Sequence, residues 1–204
     1  MDQPAEVSVL EQGPLFVKVA VKGKIGKYSF TQTIRLTQGE PRIDMSVKLD
    51  WTGNPRIGEP GIEFRADNPR KSFYDDRYKL LVYLPTQIAN QQIYKDAPFD
   101  VCESRLENTF FNRWDSIKHN IILNWVDVAS KDNSCGLSLF TDHTTSYAHG
   151  KDFPLALNVQ YAGKGLWGRD YIIDRPTEIS YALIPHAGTC LLYTSPSPRD
   201  YAAS

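Results

Sequence analysis

Two stretches hold the residue types that do chemistry: Asp142-His143-Thr144-Thr145-Ser146-Tyr147, and Trp167 with Arg169 and Tyr171. A carboxylate beside an imidazole offers a metal-ligand pair, a proton relay, or hydrogen bonds to hydroxyl-rich ligands. In an extended segment, however, adjacent side chains leave on opposite faces, so Asp142 and His143 grip one ion together only through a sharp turn. His119 and His149 add no His-x-x-x-His or similar ligand spacing. No metal site is expected in this chain. Two readings of Asp142, His143 and Thr144 stay open: turn formers ending the strand Cys135–Thr141, or sugar contacts in company with Tyr147. Trp167, Arg169 and Tyr171 alternate, so all three project to one side of an extended segment. There an aromatic face beside a guanidinium suits a sugar's C–H face and its hydroxyls. The plainer reading packs the rings on a sheet edge and pairs Arg169 with Asp170 or Asp174. Asp75-Asp76 beside Arg77 reads as a solvated or salt-bridged loop, because adjacent carboxylates seldom serve as acid and nucleophile.

Those residues need a scaffold, and its pattern is period two. Leu15, Val17, Val19 and Val21 alternate with Phe16, Lys18, Ala20 and Lys22, which predicts a strand with one clearly apolar face. Gly23-Lys24-Ile25-Gly26 supplies a turn. Tyr28, Phe30, Ile34 and Leu36 continue the alternation; after Gln38-Gly39-Glu40-Pro41 come Ile43, Met45, Val47, Leu49 and Trp51. The three runs form an antiparallel meander with one face in a core and one in water. From Thr52 to Tyr78, prolines and glycines break the pattern into a long loop with a short strand at 61–65. Leu80–Leu84 and Ile93-Tyr94 are strands, and 86–95 has no helical stripe. Asn120–Val128 is apolar on both faces, so it reads as one strand buried between layers. Cys135–Thr141, Leu155–Tyr161 and Ile179–Ile184 follow, with turns at 131–134, Gly163-Lys164-Gly165 and Asp174-Arg175-Pro176. The expectation is nine or ten strands, no helix, and an all-β sandwich rather than a parallel α/β sheet. Trp51, Trp114 and Trp125 belong in the core.

The totals narrow the partners. Apolar residues make up 41% and charged residues 23% of 204, ordinary for a globular domain with a sizeable core. A net charge of -1 gives no electrostatic case for nucleic acid or an anionic membrane. No run reaches the roughly 20 apolar residues of a transmembrane helix, and the acidic start Met1–Glu6 has no apolar core of a signal peptide behind it. Cys102, Cys135 and Cys190 are odd in number and form no Cys-x-x-Cys pair, so they read as buried or half-buried free thiols.

Longer blocks carry a family resemblance. They are Asp67-Asn68-Pro69-Arg70-Lys71-Ser72-Phe73-Tyr74-Asp75-Asp76-Arg77-Tyr78-Lys79, Ala97-Pro98-Phe99-Asp100-Val101-Cys102-Glu103-Ser104, and Asn108-Thr109-Phe110-Phe111. With them go the run from Trp114 to Asp127, Thr141 to Tyr147, Gly165-Leu166-Trp167 and Arg169-Asp170-Tyr171. Over residues 7–189 the chain resembles the carboxy-terminal β region of bacterial α-mannosidases of glycoside hydrolase family 38. The resemblance implies a partial antiparallel β-supersandwich of the galactose-mutarotase-like kind, inside a longer enzyme. It implies retaining hydrolysis of α-mannosides by an aspartate nucleophile and a carboxylic general acid, two carboxyl groups about 5–5.5 Å apart across the scissile bond. Zinc would hold the terminal sugar in that longer enzyme, bound by three or four protein ligands.

None of the family's zinc or nucleophile motifs lies in this sequence, so the chain alone is expected to be inactive and to bind no cofactor. Its expected role is to buttress catalytic domains, with Asp142, His143, Thr144, Tyr147, Trp167 and Arg169 lining the mannose pocket. The alternative is a non-catalytic carbohydrate-binding or scaffold β-sandwich. Residues 1–189 form the domain. Residues 190–204 (Cys190 onward, with Pro196-Ser197-Pro198) lack any strand period and resemble a translated sequencing adapter, a non-native tail set apart from the fold. A natural start upstream of Met1 leaves the compartment open between cytoplasm and periplasm.

Overall fold

The computed structural model describes residues 4–53, 79–104, 117–150, 153–161, 163–164 and 170–188, with backbone only at 117–119, 153, 163–164 and 170–171. These residues form strands and no helix. Three antiparallel strands open the order as expected: β2 (Phe16–Ile25), β3 (Tyr28–Thr37) and β4 (Ile43–Asp50), preceded by β1 (Glu6–Gln12). β5 (Lys79–Leu84), β6 (Gln91–Ala97), β7 (Asp100–Glu103), β8 (Ile117–Ile122), β9 (Trp125–Ser130) and β10 (Gly136–Thr141) follow. The chain continues through β11 (Thr145–Gly150), β12 (Phe153–Tyr161), the two-residue strands β13 (Gly163–Lys164) and β14 (Asp170–Tyr171), and β15 (Thr177–His186).

Two sheets face each other. The large one has nine strands in the order β1-β2-β3-β4-β15-β10-β9-β6-β7, the small one four in the order β5-β12-β11-β8. Every pairing is antiparallel: Val19 sits opposite Ile34, Ile34 opposite Met45, and Met45 opposite Tyr181. Because side chains alternate, one row face of β2–β4 is apolar, as the sequence pattern requires. That face and its continuation through Leu139, Val126, Val128 and Ile93 meet Ile122, Tyr147, Leu155 and Leu157 of the small sheet in one core. A hydrogen-bond chain ties the layers at one edge: Trp51 Nε1 donates to Thr177 Oγ1 (2.7 Å), and Thr177 Oγ1 donates to Gln160 Oε1 (2.7 Å).

The all-β antiparallel supersandwich is therefore present, with several local corrections. The segment 120–128 is two strands rather than one. β8 belongs to the small sheet and β9 to the large one, so the chain changes layer at Leu123-Asn124. β9 is buried along its whole length, as its double-sided apolar pattern predicts. β1, β7 and β11 are strands beyond those the period-two pattern predicts; β1 is mostly exposed and has a register shift between Val9 and Glu11 that interrupts its alternation. Gly23 lies inside β2 against Phe30, and the β2–β3 turn falls at Gly26, whose φ of 57° favours glycine. Gly163-Lys164 pairs with β14 rather than only turning. Cys135 is exposed and Cys102 half-buried; both are free thiols. The expected strand at 61–65, Trp114 and the tail from Cys190 lie outside the described residues.

Candidate functional site

β10 leaves the large sheet at Thr141 and β11 enters the small one at Thr145, so Asp142-His143-Thr144 is a crossing between layers. Thr141 closes it. Its N–H donates to Asn124 O (2.7 Å) and its hydroxyl donates to His143 O (2.9 Å). Asn124 belongs to the other crossing, Leu123-Asn124, so the two turns stand side by side at one end of the sandwich. Asp96 of β6 anchors that end from within. It is buried, and its carboxylate accepts from Leu123 N–H (3.0 Å), Asn124 N–H (2.6 Å) and Asn124 Nδ2 (3.1 Å). Beside it Lys95 Nζ donates to Asn120 Oδ1 and Ile121 O, both at 2.7 Å. Burial lowers the lysine's pKa, against the opposing charges of Cys102 and Asp96.

In the turn, His143 Nδ1 lies 2.5 Å from Asp142 Oδ1, and both side chains reach solvent. The sharp turn that lets neighbours converge is thus present. Thr144 is exposed beside them. Tyr147 is different: on β11 it is 1% exposed in the core, which leaves it no surface to offer a sugar. Burial pushes its phenol up to about 12, with Ser104 opposing. Among the described residues its hydroxyl has no partner within hydrogen-bond length. Trp167 and Arg169 lie outside the described residues, as do Asp75, Asp76 and Arg77; Tyr171 is placed only as backbone of β14.

Asp142 stands between two hollows. One, about 590 Å³, lies on the outer face of the large sheet and includes Lys18, Arg35, Arg42 and Ser180. The other, about 510 Å³, is bordered by His143, Gln160, Ile172, Asp174, Arg175 and Glu178. On its far wall Arg175 Nε pairs with Asp174 Oδ1 at 3.1 Å, which lowers the carboxyl's pKa and raises that of the guanidinium. Gln160 gave no sequence signal beyond its strand, and Asp174 none beyond a turn and a partner for Arg169, because their convergence depends on β12 of the small sheet meeting the turn before β15 of the large one.

The other histidines serve the interior. His149 is 2% exposed, and its Nε2 donates to Gln91 Oε1 (2.6 Å), since the Gln91 amide nitrogen is itself committed to Ile88 O (3.0 Å). Its Nδ1 has no partner among the described residues, and burial brings its pKa down to about 4. His186 Nε2 pairs with the buried Asp127 Oδ1 at 2.8 Å, and its Nδ1 lies 3.1 Å from Gly188 O. Ser138 Oγ donates to the same Asp127 oxygen at 2.7 Å. Asp142 and His143 supply two potential metal ligands. Among the described residues no group of three or more His, Cys, Asp or Glu converges, so these residues do not assemble the donor set of a zinc ion.

Fold and site together define a β-supersandwich domain with a polar, solvent-facing crossing at one end. The comparisons with known proteins add the family. Residues 1–158 match the family described as "Glycosyl hydrolases family 38 C-terminal domain". The chain belongs to that family. A search of curated proteins gives no match. Among solved structures, an α-mannosidase from Enterococcus faecalis V583 is similar, with a TM-score of 0.65 and 13% identity over 98% of this chain and 23% of that one. A family 38 glycosyl hydrolase protein from Enterococcus faecalis gives 0.63 and 13% over 98% and 24%. The α-galactosidase from Lactobacillus brevis gives 0.50 and 8% over 91% and 27%. At these identities the likenesses show the fold. The chain spans about a quarter of the length of each of these structures.

Proposed function

We propose that this chain is the carboxy-terminal β-sandwich of a longer, zinc-dependent, retaining α-mannosidase. In this reading it buttresses catalytic domains carried elsewhere in that protein and lines one wall of the mannose pocket. The observation that carries it is membership of family 38 through that family's C-terminal domain. Zinc in the longer protein would hold the terminal sugar; no described residue here is assigned to it, nor to the nucleophile or general acid.

What this chain supplies is position and polarity. Asp142 and His143 are held convergent by the Thr141–Asn124 clasp, and their free edges accept or donate to sugar hydroxyls. Thr144, Trp167 and Arg169 complete the proposed wall. The buttress role is supported by the large sheet, whose apolar face runs past the four-stranded sheet and leaves Val7, Val9 and Leu36 exposed. Such a face suits a further domain of the same polypeptide.

Two preparations test this with an aryl α-mannoside, the 204-residue chain alone and the longer protein containing it. The chain alone should turn over nothing, and the longer protein should hydrolyse the substrate only with zinc present. Asp142→Asn and His143→Ala in the longer protein should raise KM roughly tenfold, the loss of one charge-assisted hydrogen bond. Hydrolysis by neither preparation, with zinc or without it, would sink the reading.

A further inference from the structure

We infer that the outer face of the large sheet carries a binding trough for an acidic oligosaccharide, a site separate from the proposed mannose wall except at Asp142. The trough follows from register. Ala20, Thr33, Ser46 and Ser180 lie opposite one another in sequence across β2, β3, β4 and β15. Ala20 is fully buried, and the other three small side chains make a floor, roughly 10 Å long at the usual strand spacing of about 4.8 Å. Long side chains rise on either side. One rim is the next row, Lys18, Arg35 and Asp44, continuing through Ala182 to Phe140 of β10. The other is Lys22, Thr31, Lys48 and Glu178. The hollow of about 590 Å³ lies over this floor and against the first rim, within the size range of small-ligand sites, roughly 300–1,000 Å³.

Its chemistry is polarised along its length. At the β2–β4 end stand Lys18, Arg35 and Arg42. Arg42 Nε is paired with Asp44 at 2.6 Å, while Arg35 stacks over the Phe16 ring at 4.3 Å. Lys18 and Arg35 have no ion pair among the described residues, although Glu11 lies opposite Lys18 and Asp44 opposite Arg35 in register; three cations against two carboxylates leave this end with an excess of one positive charge. The floor is hydroxylic: Thr33 Oγ1 and Ser46 Oγ hydrogen-bond to each other, and Ser180 is exposed. At the far end are the Phe140 ring and the Asp142 carboxylate. A carboxylate or phosphate on one sugar matches the guanidinium and ammonium groups. The hydroxyls of a neutral sugar two or three units away match Asp142, and its C–H face matches Phe140. A neutral glycan leaves the cationic end unused, and a uniform polyanion is repelled by Asp142. The ligand class that uses both ends is an oligosaccharide with an acidic group at one end, in a chain whose family is carbohydrate-active.

The test is titration of the full 204-residue chain, by calorimetry and ligand-observed NMR, with three probes: a mannuronate tetrasaccharide, phosphopentamannose and neutral mannotetraose. At least one acidic probe should bind with Kd of about 1 mM or tighter, and mannotetraose roughly tenfold more weakly or not at all. The first two probes separate a carboxylate from a phosphate source. Lys18→Gln with Arg35→Gln should weaken the acidic probe roughly tenfold or more. Ser180→Trp, a substitution at an exposed floor position that fills the trough without disturbing the core, should abolish binding while the melting curve is unchanged. If the double variant fails to fold, Ser180→Trp decides. Equal binding of all three probes, binding indifferent to Ser180→Trp, or binding to none of them overturns the inference.

Discussion

At the residue scale the interior polar groups make the sharpest statements. His149 has a folded-state pKa of about 4 against an ordinary 6.5. Between those values the unfolded chain takes a proton that the folded chain refuses, so the unfolded state gains as pH falls. Full stability therefore holds above pH 6.5 and declines toward pH 4, by up to about 3 kcal/mol from this group. His149→Gln keeps a donor for Gln91 and removes the titration. Urea midpoints measured at pH 7 and pH 5 should separate more for the unaltered chain than for the variant, and equal separations would refute the assignment. Gly136 is a steric counterpart. A Cβ there would overlap the His186 ring, which cannot simply swing away because Asp127 and Gly188 O hold both its nitrogens. Gly136→Ala should cost roughly 2–3 kcal/mol through the weakened partner of a buried carboxylate, read in the same denaturation curves.

At the scale of elements, the layer changes decide the architecture, and they were the least legible part of the sequence. Period two revealed the meander because one face is wet and one is dry. Asn120–Val128 gave no such contrast, since β9 is buried along its whole length and the outward face of β8 carries an apolar residue, the half-exposed Ile121, where a polar one would have marked water. What breaks the run is Asp96, far away in sequence, capturing the two backbone N–H groups. Asp142-His143-Thr144 was legible as a turn by residue type, but not as a layer crossing or as the rim of two hollows. Asp96→Ala should orphan both N–H groups and lower stability by roughly 3 kcal/mol, whereas Asp96→Asn, which keeps one acceptor oxygen, should cost less. Equal losses for the two variants in chemical denaturation would show that one acceptor oxygen alone cannot hold the turn, and no loss in Asp96→Asn would show that the second oxygen is idle. The β6–β7 hairpin carries the opposite sign. Phe99 sits fully exposed at its tip with φ of 68°, a left-handed conformation that costs a bulky residue about 1–2 kcal/mol. Phe99→Gly should therefore raise the thermal midpoint, and a lower midpoint would mean that the ring has a packing role this strain sustains.

At the scale of the whole molecule, nine strands face four. The core closes where the small sheet covers β4, β15, β10, β9 and β6. Toward β1 the same apolar face runs on uncovered, with Val7 at 65% and Val9 at 59% exposure on an edge strand. An edge presents unpaired N–H and C=O groups, and this one carries Val7 and Val9 on the apolar face with Glu6 and Ser8 on the other, a template for pairing with another copy. In the proposed longer protein a neighbouring domain would cover it. Studied alone, the chain should self-associate. Sedimentation velocity should show a weight-average mass that rises with concentration, and Val7→Lys with Val9→Thr should return it toward a monomer while leaving the melting transition in place. A soluble monomer with a single sharp cooperative melt, indifferent to those two substitutions, would mean that the overhang is tolerated without a cover. The support drawn from it for a buttressing role would then be lost, leaving the family membership to stand without it.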